Sequence, residues 1–234
     1  MSATRLAGLA WAILGTAGCL SLVPVAPAPR DYRPDYPPPQ MQHERLPVVL
    51  RLAPVRVAAI YDREPFAYRR GPYRIGYYYY HRWATAPGQL LTDFFVRDFT
   101  VSGLYRAVQQ GPSVLVADYQ LDLRVDRFEE EIDSSGCRAS LVLHASLQSL
   151  RSGVSDPVRF QRVYEESEPV ACNSPDAFVA GVSRILARLS RQLQDDVYRA
   201  VADTEAQLPK PMSLSWPVGA ANAAVPCFRG SSLA

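Results

Sequence analysis

From Tyr119 to Glu168 the chain alternates apolar and polar residues through three successive runs, and this period of two fixes more of the fold than any other feature. The first run, Tyr119 to Phe128, places Tyr119, Leu121, Leu123 and Val125 on one face and Asp122, Arg124 and Asp126 on the other. Such a pattern is that of a half-buried strand. Cys137 to Leu150 follows, with Ala139, Leu141, Leu143, Ala145 and Leu147 on one side, and Val158 to Glu168 is a third strand-like run. Ser152-Gly153-Val154-Ser155-Asp156-Pro157 is a turn between the last two. A hairpin folded about its midpoint pairs Arg151 with Val158, and the same register opposes Cys137 and Cys172, within disulfide range. In the chain-entropy model a loop of about 36 residues closed this way contributes roughly 3 to 4 kcal/mol.

Two helices complete the order of elements. Pro87, at a first helical position, opens one with Leu90, Leu91, Phe94 and Phe95 on its buried side, and Ser102-Gly103 ends it. Ser174-Pro175-Asp176 supplies an N-cap, a first-turn proline and an acid suited to the helix dipole. Phe178, Val182, Ile185, Leu186, Leu189, Leu193 and Val197 then recur at three and four, up to Gln207. Upstream, Val48 to Ile60 reads as a long strand broken at Pro54, and Tyr73 to Tyr80 as a second strand. The expected fold is a single α+β domain over residues 48–205: a mostly antiparallel sheet with two main helices packed on it.

The two ends are read differently. Arg5 precedes a thirteen-residue apolar segment, Leu6 to Gly18, about half a membrane span, which closes in Thr16-Ala17-Gly18-Cys19. Residues 1–18 are therefore expected to be a lipoprotein signal peptide. Cys19 would become the first residue of the mature chain and carry a diacylglycerol on its thiol and a third acyl chain on its amine. Residues 19–47 hold eight prolines and read as a tether of up to roughly 80 Å, and residues 206–234 read as a disordered tail in which Cys227 is unpaired. An exported location is one where disulfides persist.

Chemistry-bearing motifs are sparse. His43, His81 and His144 stand apart, and no Gly-x-Ser-x-Gly, His-Glu-x-x-His or phosphate loop is present, so the reading is non-catalytic, with no cofactor and no metal. Without Arg5 the chain has 24 basic and 23 acidic side chains, which gives no electrostatic case for nucleic acid. Glu129-Glu130-Glu131 with Asp133 reads as a solvated strand end or turn. The unusual stretch is Tyr61 to Trp83, with seven of the thirteen tyrosines and five arginines. Its tyrosines either cap a sheet edge with their hydroxyls in water or meet a partner, and Tyr78, Tyr80, Arg82 and Trp83 are the candidate partner-binding residues.

Tyr73-Arg74-Ile75-Gly76-Tyr77-Tyr78-Tyr79-Tyr80-His81-Arg82-Trp83-Ala84-Thr85-Ala86-Pro87, followed by Leu90-Leu91 and Ser102-Gly103-Leu104-Tyr105-Arg106-Ala107-Val108, resembles the ABC-type transport auxiliary lipoproteins. In that family a strand leads into Trp-Ala-x-x-Pro and a helix, a later strand ends in a Phe similar to Phe128, and a long amphipathic helix closes the domain. The resemblance covers about residues 48–203. It implies a non-catalytic partner of an MCE-type system, in which an ABC permease and ATPase and a periplasmic MCE protein move lipids between membranes. The protein would be held by its N-terminal lipid in the cell envelope and grip the periplasmic component, with a homo-oligomer left open. Leu20 after Cys19 is not the Asp that retains lipoproteins in the inner membrane of enteric bacteria, which favours the outer membrane facing the periplasm. A lipoprotein that itself binds lipid or another small molecule between helix and sheet is the alternative.

Overall fold

The computed structural model describes residues 27–111, 115–152 and 156–207. The signal peptide, Cys19, Cys227 and the tail beyond Gln207 lie outside the described residues. The elements run β1 (Arg30–Tyr32), β2 (Leu46–Leu52), β3 (Arg56–Val57), β4 (Pro65–Arg70), β5 (Arg74–Trp83), α1 (Pro87–Val101), β6 (Tyr105–Gln110), β7 (Tyr119–Asp133), β8 (Gly136–Ser149), β9 (Val158–Val170) and α2 (Pro175–Gln207).

The fifteen-residue strand β7 organises the sheet. Along its whole length it pairs antiparallel with β8, from Tyr119 opposite Ser149 to Asp133 opposite Gly136, and β8 pairs antiparallel with β9. Its other edge is shared in series by three shorter parallel strands. β2 lies against Leu50↔Tyr119, β3 against Arg56↔Arg124 and β4 against Tyr68↔Glu130. β6 extends the sheet beyond β2, while β5 and then β1 extend it beyond β4. The result is one mixed α+β sheet, antiparallel in its longest pairings.

The break expected at Pro54 is real, since it separates β2 from β3. Pro54 cannot donate to the ladder, so the chain leaves the sheet and re-enters two residues later. The sequence reading does not assign β1, β4 or β6 to strands. Each is short, and β1 and β4 carry arginine and proline where a clean alternation would need apolar residues.

A bulge between Val125 and Arg127 adds one residue to β7 and switches the face that each later side chain takes. Phe128 thereby joins Tyr119, Leu121, Leu123 and Val125 in the core. Of the acidic run that follows, Asp133 is exposed as expected, but Glu129 and Glu130 are not solvated, contrary to the expectation. Glu129 and Glu130 are 0% and 1% exposed, because the sheet continues past them and supplies partners on both faces.

α1 and α2 start where Pro87 and Ser174-Pro175 announce them, and the Ser174 hydroxyl accepts the Ala177 N–H at 3.2 Å. Gly103, at φ +66°, lets the chain turn out of α1. α2 buries Phe178, Val182, Ile185, Leu186, Leu189, Leu193, Val197 and Val201 against the sheet. At Gly181 the approach is so close that a Cβ would stand 2.5 Å from the Val170 side chain.

Cys137 and Cys172 form a disulfide, with Cα atoms 5.2 Å apart. The register behind it differs from the expected one. Cys137 opposes Val170, and Gln148 rather than Arg151 opposes Val158. Cys172 lies just beyond the end of β9 and reaches back to its partner from the turn that enters α2.

The tether reading is corrected for its described part. From Arg30 onward the proline-rich segment is docked on the domain. β1 pairs with β5, and buried Tyr36 donates its hydroxyl to Asp98 Oδ2 at 2.7 Å and stacks on Phe94 at 5.2 Å. The Asp35 N–H reaches Ser183 Oγ at 3.0 Å, and His43 stacks on Tyr198 at 4.4 Å while meeting Asp195 at 3.0 Å. Proline holds these residues extended, and the aromatic and acidic residues between the prolines give the segment something to bury.

Candidate interaction surface

The aromatic stretch folds into the β4–β5 hairpin, whose two ends have different environments. At its base Trp83 is 2% exposed and stacks on Phe128 at 5.0 Å, with Phe66 at 4.4 Å and Phe178 at 5.8 Å. This aromatic cluster ties the hairpin to β7 and to the first turn of α2. Trp83 therefore cannot meet a partner, and its place among the candidate binding residues is corrected to the core. A tryptophan just before a helix-opening Ala-Thr-Ala-Pro is where the chain turns back over the sheet, so its ring is the one that the turn encloses.

Tyr78 is half-buried and donates its hydroxyl to Glu130 Oε2, and Tyr68 lies 5.1 Å from it ring to ring. Burial pushes the Tyr78 hydroxyl well above the ordinary tyrosine range, and the Glu130 carboxylate adds to the effect. Burial likewise raises the Glu130 carboxyl, whose other oxygen, Oε1, has no hydrogen-bond partner. On the opposite face Glu129 accepts from Tyr61 at 2.9 Å and from Arg69 Nε at 2.6 Å. Arg69 also reaches Glu131, which Arg127 meets at 3.3 Å and Arg138 at 3.5 Å. The hydrogen bond to Glu129 is the main reason that the Arg69 guanidinium holds its proton more tightly than usual. Tyr78 is thus a structural residue rather than a free contact.

Arg82 is engaged as well. It pairs with Asp31 at 2.6 Å and Glu64 at 3.5 Å, which clips β1 and the loop before β4 to β5. The Tyr32 hydroxyl lies 3.1 Å from His81 Nδ1 beside it. Tyr80 is half-buried and meets the ring of Tyr79 edge-on at 4.9 Å. The freely presented residues are others. Tyr73 is 95% exposed and Tyr79 83% exposed, and Ile75, Arg70 and Arg74 are exposed with them. All but Tyr79, which lies farther along β5 toward Trp83, surround the tip, where Gly71 takes φ +66° to close the hairpin.

Elsewhere the open face of β7, β8 and β9 is polar. A shallow concavity of about 350 Å³ there is lined by Arg56, Asp122, Arg124, His144, Gln161 and Arg162, and His144 pairs with Asp126 at 2.9 Å. Among the described residues no group of three or more His, Cys, Asp or Glu side chains converges to hold a metal, and no helix is long and apolar enough to cross a membrane.

The model of the ABC-type transport auxiliary lipoprotein component matches residues 34–194, from the docked proline segment through most of α2. The chain belongs to this family. The match begins where the structure begins to bury the N-terminal segment, so the family unit includes that segment as well as the sheet. Protein XCC0632 of Xanthomonas campestris shares the fold with a TM-score of 0.64 at 23% identity, over 76% of this chain and 97% of that one. A hypothetical protein of Chlamydia trachomatis shares it with a TM-score of 0.52 at 12% identity, over 68% and 99%. No curated protein matches the chain.

Proposed function

We propose that the protein is the membrane-anchored, non-catalytic subunit of an MCE-type ABC transport system that moves lipids between the inner and outer membranes. The observation that carries this reading is the family match over residues 34–194, joined to a Cys19 placed to receive lipid. Anchored in the outer membrane, the domain would hold the periplasmic MCE component at that membrane while the permease and ATPase act at the other. The reading as a lipid carrier is less well supported. The layer between α2 and the sheet, where a carrier would seat its ligand, is filled by Phe66, Trp83, Phe128 and Phe178.

Crosslinking of intact envelopes followed by purification of this protein tests the proposal. Recovery of an MCE-type protein or an ABC permease or ATPase is the expected result, and recovery of neither overturns it. Labelling with radioactive palmitate, lost in Cys19→Ala, tests the anchor independently.

A further inference from the structure

We infer that the tip of the β4–β5 hairpin rests on the anionic lipid surface of the same membrane that holds the N-terminal lipid. The inference rests on the proposed lipidation of Cys19 and goes beyond it by giving the domain an orientation.

The first argument is direction. β1 runs parallel to β5, with Arg30 beside His81 and Tyr32 beside Trp83. Chain that precedes Arg30 therefore enters from the side on which Arg74 and the hairpin tip lie. The second is length. Arg30 follows Cys19 by eleven residues, a span of at most about 40 Å in any conformation. Tyr73 precedes His81 by eight residues, and a strand of that length covers about 26 Å. The anchor point can thus lie beyond the tip by only about 15 Å in that direction. Docking of β1 has shortened the tether to about the scale of the hairpin itself.

The third argument is the chemistry of the tip. Arg69 and Arg82 are neutralised by carboxylates, but Arg70 and Arg74, the pair that flanks the turn, have no carboxylate at ion-pair distance among the described residues. Arg70 lies over the ring of Tyr68 at 5.5 Å. Arg70 and Arg74 beside exposed Tyr73 and Ile75 make a surface whose cations attract phosphate headgroups. Its tyrosine suits the boundary between headgroups and acyl chains. The open face of β7–β9 has no such bias, because Asp122, Asp126, Glu131 and Glu165 there offset its arginines.

The test uses the full lipidated chain with Cys227→Ser, carrying an environment-sensitive fluorophore on Tyr73→Cys, on Ile75→Cys or on Val163→Cys of β9. Each is reconstituted in vesicles of phosphatidylethanolamine and phosphatidylglycerol that contain a headgroup-borne nitroxide. The labels at 73 and 75 are expected to shift to the blue and to be quenched at least twofold more than the label at 163. Arg70→Ala with Arg74→Ala should weaken tip contact by roughly twentyfold. Vesicles of phosphatidylcholine alone should lose most of the difference. A chain that floats with the vesicles while its tip labels stay aqueous overturns this inference and leaves the anchor intact. So does a tip that is shielded only when envelope proteins are added, which would assign it to a protein partner. A chain that acquires no lipid and does not float overturns the anchor itself, and the inference falls with it.

Discussion

The base and the tip of the β4–β5 hairpin are built from the same residue types, yet they have opposite fates. At the base Trp83 and Arg82, and between base and tip Tyr78 and Arg69, are each committed to an internal partner. At the tip Arg70, Tyr73 and Arg74 stand in solvent. The difference lies in what flanks them. β7 pairs with β4 from Tyr68 to Arg70 and brings Phe128, Glu129, Glu130 and Glu131 to the enclosed side chains, whereas Tyr73 and Arg74 lie past the end of that pairing. Richness in tyrosine and arginine marks a surface suited to binding only where no other element of the fold has used those groups.

That contrast predicts a graded series of effects. Trp83→Ala should be the most damaging, at about 3–5 kcal/mol, because it opens a cavity among Phe66, Phe128 and Phe178; urea unfolding followed by circular dichroism reads it. Glu129→Gln should come next, at roughly 2–3 kcal/mol, since it leaves Arg69 beside a neutral amide and disturbs the Tyr61 hydrogen bond. A loss below about 0.5 kcal/mol would show that the network contributes little.

Glu130→Gln should act in the opposite direction. Its carboxyl is raised above the ordinary glutamate range by burial, so between the unfolded and the folded values the native state holds more protons than the unfolded state. The wild-type chain therefore loses stability as pH rises through that window, whereas the amide of the variant does not titrate. At pH 7 the variant should be more stable by an amount on the order of 1 kcal/mol. The gain should vanish at a pH below the unfolded value, and thermal melts at both pH values would reveal the crossover. Smallest of all, Tyr73→Ser should change the unfolding free energy by less than about 0.5 kcal/mol, because its ring is not buried. A larger cost would place the tip with the base and end the contrast.

Much of this fold could be read in advance because its cues are local. Pro87 with Ser102-Gly103 and Ser174-Pro175 carry their own helix boundaries, and the alternation from Tyr119 to Val125 in β7 is regular up to the bulge. The failures share one cause, dependence on distant residues. Glu129 and Glu130 look like a solvated end until Tyr61, Arg69 and Tyr78 are brought to them from far upstream in the chain. Residues 30–47 look like a spacer until Asp98, Ser183 and Asp195 supply their partners. The disulfide pairing is legible although its register is not. β8 and β9 pair out of step with the midpoint register, with an irregularity beside Gln148, and the turn after Val170 absorbs the difference. At the candidate surface the stretch was visible, but the division between enclosed and presented side chains was not. Tyr73 at 95% exposure was recoverable in one respect, as it sits beside Gly71-Pro72, the turn signal that separates β4 from β5.

The serial sharing of one edge of β7 by β2, β3 and β4 has a consequence for how the chain is made. All three short strands precede β7 in the sequence, and the strand that unites them does not begin until Tyr119. A polypeptide that emerges N-terminus first must therefore carry Val48, Val49, Leu50, Leu52 and Phe66 unsheltered until residue 133 has followed them out. Such an interval invites aggregation. The protein should depend on a holding chaperone at that stage, and slowed emergence between residues 70 and 133 should lower its yield more than an equal delay after β8 is complete.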